Sequence, residues 1–299
     1  MVGHRKKLLV FVVAYNAQNT IEWVLNRVPV ELCKNFDVEV LVIDDASLDA
    51  TFDIAMKYAR QHGKKFKFTV LCNEKNQGYG GNQKLGYHYA IKNDFDLVAL
   101  IHGDGQYPPE EIFALSRPLI EQGHDASFGS RMMVPYAALR GGMPIYKYVG
   151  NRVLTSFQNL ILGSKFSEFH SGFRMYSVEA LKHIPFELNS NDFHFDTEII
   201  IQLLFAGKKI NEIPIPTFYG EEICHVNGMK YALDVIRVSL RARMQSFNLL
   251  QDKRFMKKSE GEGEGEGEKQ QHKLESLLEI AQTMSKPSVK KPNLRKIKS

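Results

Sequence analysis

The sequence is poor in cysteine, and its three cysteines, Cys33, Cys72 and Cys224, lie far apart along 299 residues. That spacing indicates neither a disulfide framework nor a zinc site, and each reads as a small core residue. Long hydrophobic runs are missing too. The most apolar stretches, "KKLLVFVVAYN" and "EIIIQLLFAG", fall well short of the roughly 20 residues that a membrane-spanning helix needs. The basic start "MVGHRKKLLVFVV" carries no small-residue cleavage site, so it reads as the first buried strand of a cytoplasmic protein. Aromatic residues are not interleaved with the basic clusters "IRVSLRARMQSFNLLQDKRFMKK" and "KPSVKKPNLRKIKS", which argues against a nucleic-acid platform. The net charge is only +5. Those clusters suit either a solvated surface or peripheral contact with the anionic inner face of a membrane.

What is present is a chain with 43% hydrophobic residues, in which β-branched runs alternate with segments of helical period. "LLVFVVAYN", "VEVLVIDDAS", "FKFTVLCNEKN" and "LVALIHGDG" are each followed by a helical stretch. This pattern predicts an α/β fold: a mostly parallel, twisted, nucleotide-binding sheet with helices on both faces, plus a helical C-terminal extension. The main domain spans 1–225 and an amphipathic basic helix 226–258. A Gly/Glu linker follows at 259–269, where alternating Gly and Glu cannot bury apolar area. The basic tail 270–299 begins with a short amphipathic helix that has Leu274, Leu277, Leu278 and Ala281 on one face.

Ligands of open α/β sheets bind beyond the carboxyl ends of the strands. Four successive strand ends here carry Asn, Asp, Gly or His, which suggests one shared crevice. Asp44 and Asp45 read either as turn formers or as carboxylates accepting hydrogen bonds from a base or a ribose. "NQGYGGNQKLG" could close on phosphate or sugar through backbone N–H groups. Its Gly78-x-Gly80-x-x-Gln83 lacks the third glycine of a dinucleotide fingerprint and follows the third strand, which disfavours a nicotinamide enzyme. In "LIHGDGQYPPEEI", extended backbone over 102–106 would put His102, Asp104 and Gln106 on one side. Oxygen ligands at that spacing suit Mg²⁺ or Mn²⁺, and imidazole suits Mn²⁺ better. The alternative is a glycine-rich turn ahead of the helix that "PPEE" starts.

In order, "VVAYNAQNTI", "VLVIDDASLDAT", "NQGYGGNQKLG", "HGDGQYPPE", "GSR" and "HSGFRMYS" resemble family 2 glycosyltransferases of the GT-A fold. The branch most similar is that of the dolichol- and polyprenyl-phosphate mannosyl- and glucosyltransferases. The resemblance covers roughly residues 6 to 220. It implies inverting, metal-dependent transfer of a sugar from a UDP- or GDP-linked donor to a lipid phosphate or a glycan hydroxyl, as in cell-envelope glycan synthesis. By that likeness Ala14, Tyr15, Asn16, Asp44, Asp45, Gly80 and Arg131 bind the nucleotide sugar. Asp104, Gln106 and His102 hold Mn²⁺ or Mg²⁺, Asp104 and Glu168 are the catalytic carboxylates, and His170 and Arg174 face the acceptor. His102 replaces the first Asp of the family's Asp-x-Asp, which leaves a catalytically silent nucleotide-sugar-binding scaffold as the alternative. Asp196 reads as the N-cap of the helix in "FDTEIIIQLLFAG". The oligomeric state is left open.

Overall fold

The structure is a computed structural model in which residues 5–217, 227–256, 268–269 and 272–278 are described. Seven strands, β1 (Lys6–Ala14), β2 (Phe36–Asp44), β3 (Lys67–Cys72), β4 (Leu97–His102), β5 (Ala126–Ser130), β6 (Arg174–Ser177) and β7 (Ile210–Pro214), form one sheet in the order β3-β2-β1-β4-β6-β5-β7. The first four strands are parallel, as are β5 and β7. β6 runs antiparallel to both β4 and β5. The mostly parallel sheet is as expected, with one reversed strand inside it. Neither β5 nor β6 is legible as a strand in the sequence, because "ASFGS" and "RMYS" contain no apolar run. Their burial comes from neighbouring strands.

Helices α1 (Ile21–Asn26), α2 (Thr51–His62), α3 (Tyr79–Lys92), α4 (Ile112–Glu121), α5 (Ala137–Arg140), α6 (Ile145–Leu162), α7 (Val178–Lys182), α8 (Phe195–Phe205) and α9 (Gly228–Ser246) complete the fold. Period-two alternation sends Leu8, Val10 and Val12 of β1 into one core, with residues of α1, α2 and α4. It sends Leu9 and Phe11 into a second core on the opposite face, with residues of α3, α7 and α8. α3 lies so close to the sheet that a Cβ at Gly86 would sit 2.1 Å from the Phe11 ring.

α6 is inside out. Its buried residues are Asn151, Thr155 and Gln158, whereas Ile145, Tyr146, Val149, Val153 and Leu160 are 52–79% exposed. At 3.6 residues per turn those five share a sector of about 100°. α9 buries Val235, Val238 and Ala242 and also displays an exposed apolar row, Met229, Leu233, Leu240 and Met244.

Residues 272–278 are helical. Leu274 and Leu277 are buried in the second core, and Glu275 pairs with Lys92 at 2.6 Å. The amphipathic stretch therefore packs on its own body. The Gly/Glu linker apart from 268–269, Ala281 and the rest of the basic tail, and Cys224 lie outside the described residues. No helix among the described residues is long and apolar enough to cross a membrane.

Candidate active site at the strand ends

Sheet register sets the site. Ala14 pairs with Asp44, Asp44 with Cys72, and Val13 with His102. The carboxyl ends of β3, β2, β1 and β4 therefore form one row, and the loops leaving them meet. Asn16, held at φ +50, accepts from Leu48 N–H at 3.0 Å, while its own N–H donates to Ser47 at 2.8 Å. Ala17 N–H donates to Thr51 at 2.7 Å. The first and second loops are thus stitched together, with Tyr15 at the surface, 40% exposed.

Asp44 and Asp45 are both buried. Asp44 accepts from Ser47 and from the Cys72 thiol at 3.5 Å. Asp45 Oδ1 accepts from Asn73 Nδ2 at 2.7 Å and from Gln77 N–H at 2.8 Å. Burial raises both carboxyls, against the lowering effect of these hydrogen bonds. It also pushes the Cys72 thiol up to about 12, with Asp44 adding to the rise. Asp45 therefore fastens the third loop to the second. Gly80 departs from expectation, because its N–H donates to Asn191 O at 2.9 Å. A Cβ there would also lie 2.4 Å from Ser190 O. Gly80 is needed for packing against the 190–195 segment, and its amide is not offered to a phosphate.

After His102 the chain turns rather than continuing extended. Gln106 N–H donates to Asp104 Oδ1 at 3.0 Å, an Asx turn, and Gly105 has φ +79. A side chain at Gly105 would be strained and would also meet Trp23 at 2.6 Å. Burial nevertheless alternates: His102, Asp104 and Gln106 are partly buried, while Gly103, Gly105 and Tyr107 are fully so. The three candidate ligands are thus the less buried members of the corner. α1 clamps it from behind. Thr20 donates to Gly103 O at 2.7 Å, and Arg27 stacks on Trp23 at 4.0 Å. Arg27 also grips Glu110 with two hydrogen bonds of 2.6 and 2.8 Å.

His102 sits in an aromatic box. Its ring lies edge-to-face with Tyr107 at 5.0 Å and Tyr79 at 5.4 Å. Burial pulls its pKa below the ordinary value, against the raising influence of Asp104 and Asp196, so the imidazole is neutral near pH 7.

Arg131 and Glu168 form a buried ion pair. Glu168 accepts from Arg131 N–H at 2.7 Å, from the guanidinium, and from Asn151 Nδ2 at 2.8 Å. Burial alone would raise this carboxyl, but the Arg131 charge and the hydrogen bonds hold it below its ordinary value. A general base needs a free lone pair and a raised pKa. Glu168 instead positions Arg131. Arg174 does not face an acceptor either. Only 1% exposed, it donates to the carbonyls of Ser171, Asp196 and Phe169 at 2.8–2.9 Å, so it braces the fold and cannot touch an acceptor. His170 Nδ1 lies 2.8 Å from Tyr231 Oη, and burial lowers its pKa to about 4. Asp196 is not an N-cap; His194 occupies that position. The Asp196 carboxylate takes hydrogen bonds from Tyr79 and Gln83, a role that helical spacing does not reveal.

Asp192, His194 and Asp234 also come within 4.8 Å of one another. Lys230 at 2.6 Å and Arg237 at 3.3 Å already neutralise the two carboxylates, which disfavours this cluster as a cation seat.

The family model for glycosyl transferase family 2 matches residues 9–185, the stretch that supplies every strand end above. The chain belongs to this family. It is 28% identical over 225 residues to the UDP-N-acetylglucosamine–dolichyl-phosphate N-acetylglucosaminyltransferase of Methanococcus voltae, covering 72% of this chain and 87% of that one. It is 26% identical over 221 residues to the polyprenol monophosphomannose synthase of Mycolicibacterium smegmatis, covering 73% and 79%. Among solved structures, glucosyl-3-phosphoglycerate synthase from Mycobacterium tuberculosis, in complex with Mn²⁺, UDP and phosphoglyceric acid, aligns with a TM-score of 0.55. That alignment has 14% identity over 83% of this chain and 80% of that one. The likeness establishes the GT-A fold. The protein is a family 2 glycosyltransferase.

Proposed function

We propose that the enzyme transfers a sugar from a UDP- or GDP-linked donor to a polyprenyl phosphate at a membrane surface, with inversion and with a divalent metal. The observation that carries this reading is the inside-out α6. Its outer stripe is apolar, and its inner Asn151 donates to Glu168, the partner of Arg131. One helix thus joins an apolar surface to a guanidinium at the site. The sealed state of Glu168 favours the same acceptor class. A hydroxyl acceptor needs a base to take its proton, whereas a phosphate arrives as an anion. The named acceptors of the dolichyl-phosphate and polyprenol relatives support the choice.

In the reaction, a phosphate oxygen of the acceptor bonds to the anomeric carbon from the face opposite the diphosphate. The bond from that carbon to the diphosphate oxygen breaks, and the nucleoside diphosphate leaves with the electron pair. Asp104, Gln106 and His102 are the residues that would hold Mn²⁺ or Mg²⁺, and their mixed oxygen and nitrogen donor set fits Mn²⁺ better. When bound, the ion supplies charge stabilisation for the departing diphosphate. The loops of β1 and β2, stitched at Asn16, Ser47 and Thr51, fix the nucleoside end. Arg131, oriented by Glu168, contributes positive charge beside the transferring centre.

The test is direct. Purified enzyme, a panel of nucleotide sugars and short polyprenyl phosphates with added Mn²⁺ should give a lipid-linked sugar of inverted anomeric configuration. Retained configuration, or transfer only to glycan hydroxyls, would refute the proposal. A silent scaffold would bind a nucleotide sugar and release nothing.

A further inference from the structure

Behind His102 lies a chain of hydrogen bonds with a definite direction. Tyr79 Oη donates to Asp196 Oδ2 at 2.9 Å. Asp196 is beside Arg174 Nη2 at 3.6 Å and also accepts from Gln83 Nε2 at 3.1 Å. Gln83 is oriented in turn by the Tyr87 hydroxyl, which donates to its Oε1 at 2.6 Å. A phenol has one proton, and Tyr79 spends it on Asp196. At the 3.0 Å contact between Tyr79 Oη and His102 Nε2, the imidazole must therefore be the donor. A neutral imidazole with its proton on Nε2 has its lone pair on Nδ1.

The packing points the ring the same way. A Cβ at Gly172 would lie 2.4 Å from His102 Cε1 and 2.5 Å from Nε2, so the Cε1–Nε2 edge is pressed against backbone. Tyr79 is itself held by stacking on Phe193 at 5.3 Å.

We propose that Tyr79 and Asp196 are positioning residues that lock His102 in the Nε2–H tautomer and so present Nδ1 as a metal ligand beside Asp104 and Gln106. This rests on the metal reading above and assigns the ring nitrogen and the residues that select it. It uses the physics by which a ligating histidine is oriented through the proton on its other nitrogen, here relayed to the carboxylate through a phenol. Removing the Tyr79 hydroxyl leaves a buried Nε2–H without an acceptor. The proton then favours Nδ1, and the lone pair turns away from the corner.

The experiment is Mn²⁺ titration of the full chain followed by electron paramagnetic resonance, with Mn²⁺ alone as the probe and ¹⁵N-histidine labelling. Mn²⁺ bound to the unsubstituted protein should show coupling to a histidine nitrogen, and that coupling should vanish in His102→Gln. Tyr79→Phe, which keeps the stacking ring, should weaken Mn²⁺ binding by roughly tenfold and lower its preference over Mg²⁺. In the His102→Gln background, Tyr79→Phe should cause no further loss, because its effect runs through His102. If Asp104→Asn weakens Mn²⁺ binding but no histidine coupling is seen, the inference fails while the metal reading stands. It also fails if Tyr79→Phe leaves affinity and preference unchanged. If Asp104→Asn leaves Mn²⁺ binding unchanged, both fail.

Discussion

Asn151 of α6 donates to Glu168 Oε1 at 2.8 Å, and through that bond the helix with the apolar outer stripe is tied to the Arg131 guanidinium. Asn151, backed by Thr155, points inward to a buried carboxylate, while five large apolar residues of the same helix are left outside. A surface helix of a water-soluble protein ordinarily has the reverse pattern. The proposed membrane-surface reaction would place that outer stripe against lipid.

The ion pair should be costly to break. Glu168→Gln leaves a buried guanidinium with a neutral partner, so a loss of about 3–5 kcal/mol is expected. Denaturant midpoints would measure it. The sign of the pH effect follows from a carboxyl held below its ordinary value of 4.5. Its stabilising contribution is complete above that pH and is lost as the pH falls through the lower folded value. Glu168→Gln should therefore show a shallower loss of stability in acid than the unsubstituted protein.

Gly86→Ala should destabilise, although alanine is the better helix former by about 1 kcal/mol. The new Cβ would lie 2.1 Å from the buried Phe11 ring, and overpacking typically costs about 1–3 kcal/mol. A lower thermal midpoint is expected, and a higher one would show that α3 can move off the sheet.

Val149→Asp with Val153→Asp should leave stability nearly unchanged, because both positions are exposed. The same pair should abolish sedimentation with anionic vesicles and spare transfer to a short, water-soluble prenyl phosphate. Binding that survives the double substitution would remove α6 as the membrane face.

Leu274→Ala with Leu277→Ala should release residues 272–278 from the second core. A buried leucine is worth about 2–5 kcal/mol, but the loss here is capped by the free energy of docking this one segment. Hydrogen exchange should speed up at 272–278 and at the Lys92 end of α3, and remain slow in the sheet.

Much of this architecture is legible in the chain. β1, β2, β3 and β4 are announced by β-branched runs, and the corner by "HGDGQYPPE". What escapes the sequence is pairing at a distance. Nothing in "SEFHSGFR" shows that Glu168 will be sealed by Arg131 and Asn151, or that Arg174 will be buried among carbonyls. Asp196 reads as a cap because local spacing favours that, and its contacts with Tyr79 and Gln83 depend on α8 packing across α3. Trp23 and Arg27, which back the corner, carry no motif. The apolar row on α6 is hard to distinguish from a core-facing stripe until the helix is seated.

The central claim is that the 102–106 corner is where a metal and the donor diphosphate act. The most direct measurement compares Mn²⁺-dependent turnover of a nucleotide sugar by the unsubstituted enzyme and by Asp104→Asn, with folding checked by circular dichroism. The account predicts that the variant folds normally, binds Mn²⁺ more weakly, and loses turnover by a factor of about 10²–10³, the range seen when one preorganised electrostatic contact is removed. A folded Asp104→Asn enzyme with near-normal metal-dependent transfer would contradict it.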